Sequence, residues 1–142
     1  MATNIDTKSI AELERIDWHG PGLDASPLAK RCYELIQKPL SSLTVADWRV
    51  LIAQDIGLNF LMARALEVVE KDPLLETEHY RGDLLVSLLR VSPEFFSTHP
   101  AFRSRLEKVI DSLPAALDQL DFINFDTSSE ALEEAITEFR NQ

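Results

Sequence analysis

The sequence is poor in the residues that build disulfides, phosphate loops and metal sites. It has a single cysteine, Cys32, so no intramolecular disulfide can form. Its four glycines are too scattered for a phosphate-binding loop. The three histidines, His19, His79 and His99, are too far apart for the i, i+4 pair of a metal-binding helix. We therefore expect no cofactor and no metal, and we predict that the protein is not an enzyme.

Long hydrophobic segments are also missing. No apolar run approaches the roughly 20 residues that a membrane-spanning helix needs. The first ten residues, MATNIDTKSI, have neither the basic region nor the apolar core of a secretory signal. These absences favour a cytoplasmic protein without a membrane partner. A length of 142 residues fits a single domain over 1–142.

What the sequence has in excess is negative charge. Its 24 acidic and 14 basic side chains give a formal net charge of −10 at pH 7. A surface of this kind repels a phosphate backbone, which argues against direct binding to nucleic acid. It favours a cationic partner, although acidic charge can also serve only to keep a protein soluble.

Apolar residues recur at spacings of three and four along most of the chain, as in amphipathic helices. One of the clearest helix starts is Thr44 followed by Asp47, which has the spacing of a capping box. Ser26 before Pro27 predicts another start, with serine as the cap and proline in the first turn. No alternating segment is long enough for a sheet, so we predict an all-α, single-domain bundle of six to eight helices. The longest apolar stripe, which should end before Pro73, comprises Leu58, Leu61, Met62, Ala65, Leu66 and Val69.

Three further expectations concern the first half of the chain. We expect Asp6–Ile16 to form one short helix, and Leu28 to face inward beside Cys32 on the helix that follows Ser26. Gly57 should end the helix that begins at Thr44, because glycine enters the left-handed conformation at little steric cost.

In the second half, Asp83 should cap a short, very apolar helix that is buried on more than one side. Pro114 should break the helix that begins near Pro100. Residues 121–126 are ambiguous between helix and extended chain, and Thr127 with Glu130 has the spacing of a further capping box.

Four segments carry a resemblance to a known family. They are LTVADWR at 43–49, LIAQDIGLNFL at 51–61, DPL at 72–74 and YRGDLL at 80–85. Together they resemble an all-helical group of immunity proteins from contact-dependent growth inhibition systems. The chain departs from the family pattern at Trp48, where the family has leucine, and at Ala53, where it has glycine. It also departs at Met62, Ala63 and Arg64, where the family often has an apolar or proline-containing turn. These changes alter packing more than chemistry.

The resemblance implies that the protein binds and neutralises the C-terminal toxin domain of a large exported effector. Many such toxins are nucleases, which are basic because they hold phosphates. An acidic inhibitor would suit such a partner. The alternative is a small acidic helical adaptor or chaperone that binds a partner peptide in a groove between helices. The adaptor requires an exposed apolar cleft, whereas toxin binding predicts an acidic contact surface.

The C-terminal part of the chain has a large excess of acidic over basic residues. From Glu107 to Gln142 there are nine carboxylates and two basic side chains, Lys108 and Arg140. The alternative is that these carboxylates are only solvated, or complement the positive end of a helix. Glu76 and Glu78, before Tyr80, form a competing site. The predicted toxin-binding residues are Asp118, Asp121, Asp126, Glu130, Glu133 and Glu134, with Glu76 and Glu78 as the competing pair.

Overall fold

The computed structural model describes residues 5–20, 22–118 and 128–142. Over these ranges the chain is all-α, as predicted, and its regular structure consists of helices and two isolated β-bridges. None of the described helices is long and apolar enough to cross a membrane. Besides the 3₁₀ helices Ile5–Thr7 and Leu40–Ser42, the described α-helices are α1 Ile10–Leu13, α2 Pro27–Ile36, α3 Val45–Ala53, α4 Leu58–Lys71, α5 Asp83–Leu89, α6 Pro93–Thr98, α7 Pro100–Asp118 and α8 Ser128–Arg140.

Helix α5 lies at the centre of the bundle. Every residue from Asp83 to Leu89 is buried, which confirms that this helix is covered on more than one side. Helices α3, α4 and α8 pack directly against it. On α4, the six residues of the predicted stripe from Leu58 to Val69 are all buried. The core is thus built from apolar stripes that are visible in the sequence.

Side-chain caps fix the starts of the first helices. Thr44 and Asp47 form the predicted capping box of α3, and the Ser26 side chain accepts a hydrogen bond from the N–H of Ala29 in α2. A third cap was missed: Ser9 and Glu12 form a capping box that starts α1. Because of this start, Asp6–Ile16 is not one helix but a 3₁₀ turn followed by the four-residue α1.

The predicted stop at Gly57 is wrong. Helix α3 ends earlier, where Asp55 adopts a left-handed conformation with φ of +57°. The N–H of Ile56 donates to the carbonyl of Leu51 at 2.9 Å, which closes the helix end. Gly57, with φ of +70°, instead starts α4. A Cβ atom there would lie 2.7 Å from Cδ1 of Ile10, so close packing also favours glycine.

Three further expectations need correction. Gly82, not Asp83, caps α5, because the Asp83 side chain turns back to the preceding loop. Leu28 is 44% exposed rather than inward-facing, since it lies at the first turn of α2. Pro114 lies within α7, where burial of Leu113 and the residues before it outweighs the lost backbone hydrogen bond.

The C-terminal helix follows its predicted stripe. Leu132, Ala135 and Phe139 are buried, and Ile136 packs against the core. The ambiguous stretch at 121–126 and the capping residue Thr127 lie outside the described residues.

Truncating a core leucine should cost far more stability than truncating an exposed one. Leu66 and Leu88 are fully buried, so we expect Leu66→Ala or Leu88→Ala to lower the free energy of unfolding by about 2 to 5 kcal/mol. The matched control is Leu28→Ala, which should cost less than about 1 kcal/mol. Urea unfolding at neutral pH measures all three, and equal losses in buried and exposed variants would contradict the assigned core.

Candidate functional site

Helix α8 presents an acidic face, which we define as Glu130, Glu133, Glu134 and Glu138. All four side chains are exposed, and they fall at helical spacings on the side opposite the buried stripe. Arg90 is 3.9 Å from an oxygen of Glu134 and 4.0 Å from one of Glu138. Within the described residues, no basic side chain lies within 4.0 Å of Glu130 or Glu133. The face therefore carries largely uncompensated negative charge.

The helix that carries this face is firmly anchored. The Phe139 ring meets the Phe96 ring edge-on, with centroids 5.4 Å apart. The Arg103 guanidinium lies 4.3 Å from the centroid of the Phe139 ring and donates to the Phe139 carbonyl at 2.9 Å. Arg140 reaches across to α7, where it contacts Glu107 at 3.4 Å and Asp111 at 3.3 Å. The acidic face is thus held on a rigid support.

Only part of the predicted C-terminal patch can be located. Glu130, Glu133 and Glu134 lie together on the acidic face. Glu138 was not among the predicted contacts, although its i, i+4 spacing from Glu134 places it on the same face. Asp118 is the last residue of α7, and Asp121 and Asp126 lie outside the described residues.

The competing pair occupies the loop between α4 and α5. Glu78 lies between two guanidinium groups, 2.9 Å from Arg31 and 3.3 Å from Arg49. The hydrogen bond from Arg31 is the main reason that the pKa of Glu78 lies below its usual value. Glu76 is exposed and forms an isolated backbone bridge with Arg81. The charge of Glu78 is therefore already compensated inside the protein.

Asp83 holds this loop in place. Its carboxylate is 2% exposed and accepts hydrogen bonds from the Thr77 hydroxyl at 2.6 Å and the Thr77 N–H at 2.8 Å. The N–H groups of Glu78 and His79 add two more at 3.1 Å. Burial works to raise the pKa of Asp83, but these hydrogen bonds outweigh burial and hold the pKa below its ordinary value. Asp83 is thus a structural carboxylate that orders the loop at 77–79.

A groove runs between α2 and α3. One lobe, of ≈ 390 Å³, is bordered by α2, α3 and His79 of the loop, and a second, of ≈ 260 Å³, extends towards Trp18. Leu28 and Gln54 border both lobes. Because Leu28 was expected to face inward, this groove was not predicted from the sequence. The α2–α3 groove is defined by Trp18, Ser26, Pro27, Leu28, Ala29, Arg31, Cys32, Arg49, Val50, Ala53, Gln54, Ile56 and His79.

These features define a small all-α protein whose described surface offers an acidic helix face and a groove. The family model described as CDI immunity proteins, where CDI stands for contact-dependent growth inhibition, matches residues 12–106. The chain therefore belongs to the CDI immunity proteins, which confirms the resemblance in its sequence, and it acts as an immunity protein against a CDI toxin. The comparisons with curated proteins and with solved structures gave no match.

The matched segment is mainly scaffold. It includes all of α2 to α6, with the Asp83 contacts, and ends within α7. The acidic face on α8 lies beyond it.

Replacing Asp83 should loosen the loop and destabilise the protein. We expect Asp83→Asn to lower the free energy of unfolding by about 2 to 3 kcal/mol at neutral pH, because an amide cannot accept all of these hydrogen bonds. Asp72→Asn, at an exposed position at the end of α4, is the matched control and should have little effect.

The stability that Asp83→Asn loses should depend on pH, and it should be smaller at low pH. Because the pKa of Asp83 is lower in the folded protein, its carboxylate stabilises the fold above the ordinary value of 3.8, and this contribution disappears as pH falls through the lower pKa. The stability difference between wild type and Asp83→Asn should therefore shrink only below that ordinary value. A difference that already vanishes at a pH well above it would contradict this role.

Proposed function

We propose that this immunity protein neutralises a basic nuclease toxin by forming a stoichiometric complex with it. The acidic face of α8 would contact the surface on which the toxin holds phosphates, and the protein would act by occupancy rather than by chemistry. The partner is the toxin domain of the cognate effector. The site is formed by Glu130, Glu133, Glu134 and Glu138, and we extend it to Asp118, Asp121 and Asp126.

The location of the charge is the observation that carries this proposal. The family match ends at residue 106. From 107 to 142 nine carboxylates face only two basic side chains, so this segment accounts for most of the net charge of −10. A scaffold shared within a family needs the same core in every member, whereas the surface that selects one toxin does not. An acidic segment outside the shared part is suited to that selective role.

The acidic face would act through electrostatic attraction to a basic toxin. Opposite charges on two partners speed their encounter, and this effect weakens as salt screens the charges. Carboxylates that reach the phosphate-binding groups of a nuclease would also compete with its substrate. Because α8 is anchored through Phe139 and Arg103, little ordering is needed when the toxin binds.

The competing pair, Glu76 and Glu78, is less suited to contact with a basic toxin. Attraction between Glu78 and a toxin cation would have to overcome its contacts with Arg31 and Arg49. Glu76 remains exposed and is the alternative contact if the acidic face is not used.

The first test asks whether protection requires one immunity protein for each toxin. The protein is co-expressed with a catalytically inactive, tagged toxin domain from the adjacent gene. The molar mass of the purified complex is then measured by light scattering. We expect a complex with equal numbers of the two chains. In a parallel assay with active toxin, protection at a strongly substoichiometric dose, with chemically modified toxin recovered, would instead indicate an enzymatic mechanism.

The second test removes charge from the acidic face. We expect Glu130→Gln with Glu133→Gln to slow association about three- to tenfold at low salt and to flatten its salt dependence, while dissociation changes little. The matched control is Glu34→Gln with Glu94→Gln, which makes the same change in net charge at exposed positions on α2 and α6. Equal association rates for the two double variants would remove the acidic face from the site.

A groove-binding adaptor remains the second candidate function, and the α2–α3 groove is the feature that favours it. The adaptor would bind a peptide from a partner other than the toxin. Family membership favours the toxin over a separate peptide partner.

A further inference from the structure

We propose that Glu78 is a latch that holds α2 against the bundle. When the contact between Glu78 and Arg31 breaks, α2 opens and exposes Cys32 while the central helices stay folded. The inference concerns the free protein, so it does not depend on toxin binding.

Helix α2 lies outside the set of helices that surround α5. Its main packing partner is α3, whereas α5 packs mainly against α3, α4 and α8. Three of the ten residues of α2 are buried, namely Cys32, Leu35 and Ile36. Separation of α2 therefore costs few apolar contacts and leaves the main contacts of α5 intact. Elements of this kind open locally at a lower free energy than the whole domain unfolds.

One side chain makes the ionic contacts between α2 and other elements. Arg31 lies 2.9 Å from an oxygen of Glu78 and 3.4 Å from one of Asp47. No other side chain of α2 forms an ion pair with the described residues. The contact with Glu78 joins α2 to the loop between α4 and α5, so it breaks when α2 moves away from the bundle.

Glu78 is fixed from the core side before it meets Arg31. Its backbone N–H donates to the carboxylate of Asp83 at 3.1 Å, and Asp83 is 2% exposed. Its side chain also lies 3.3 Å from Arg49 of α3. Because the carboxylate is already ordered, little conformational entropy is lost when Arg31 pairs with it. This order distinguishes Glu78 from a mobile surface charge, whose ion pair contributes little.

Cys32 is a natural probe of the opening. It follows Arg31 in α2, is the only cysteine of the chain and is 3% exposed. A bulky thiol reagent reaches its sulfur only after α2 has moved. When labelling is slow compared with closing, the labelling rate reports the equilibrium population of the open form.

The main experiment compares the labelling of Cys32 by a bulky maleimide in two glutamine variants. We expect Glu78→Gln to speed labelling about three- to tenfold, because opening no longer breaks an ion pair with Arg31. Glu76→Gln is the matched control, since it makes the same change in net charge in the same loop. Glu76 is exposed, and none of the described basic side chains lies within 4.0 Å of its carboxylate. Equal labelling rates for the two variants would overturn the proposal.

A second comparison tests whether Glu78 acts through Arg31. We expect Arg31→Gln to speed labelling by itself. In the Arg31→Gln background, Glu78→Gln should add less than about a twofold increase, because the pair is already broken. If Glu78→Gln has its full effect in that background, it acts through Arg49 or the loop, and the latch is wrong.

The opening should also be local. The free energy of opening from Cys32 labelling of the wild type should be clearly smaller than its free energy of unfolding in urea at the same pH. Equal values would show that Cys32 reacts only after the whole protein unfolds, which would contradict the proposal.

Salt tests the latch without a substitution. The side chains of Arg31 and Glu78 are 37% and 36% exposed, so dissolved ions can screen their attraction. Raising NaCl to about 1 M should speed labelling of the wild type about two- to fivefold and that of Glu78→Gln less. The same response to salt in both proteins would show that the pair does not control opening.

Discussion

The complete burial of α5 is the constraint on which the rest of the structure depends. A helix whose every residue is buried needs neighbours on all sides, and α3, α4 and α8 supply them. Its buried leucines give these three helices a common apolar surface to pack against, through the hydrophobic effect. The same burial creates a difficulty at the N-terminal end, where the helix begins with an aspartate that is 2% exposed.

The fold resolves this difficulty with backbone amides. A buried carboxylate is costly unless it is hydrogen-bonded, and the loop at 77–79 supplies donors that satisfy Asp83. The loop is ordered in return, and Glu78 then ties it to α2 and α3 through Arg31 and Arg49. One buried charge thereby positions the arginines of the α2–α3 groove. Scaffold and groove are linked by the same contacts.

The acidic face stands apart from this network. Helix α8 packs on α5 through Leu132, Ala135 and Phe139, but its carboxylates make few contacts with the protein itself. Substitutions on this face can change charge without disturbing the core. Such independence suits an immunity protein, since a toxin-binding surface can then vary while the fold is kept.

The sequence by itself determined the helices, the core stripes and the family. Helical periodicity, the Thr44 and Ser26 caps and the stop before Pro73 are local properties, so they can be read without knowing what packs where. Tertiary structure decided the rest. It allowed Pro114 to stay within α7, turned the Asp83 side chain away from its own helix and left Leu28 at the surface. It also placed Glu78 against two arginines, whereas the glutamates of α8 lie farther from basic side chains. These outcomes depend on partners that are distant in the sequence. Local sequence patterns do not show which charged side chains will meet or which apolar side chains will remain exposed.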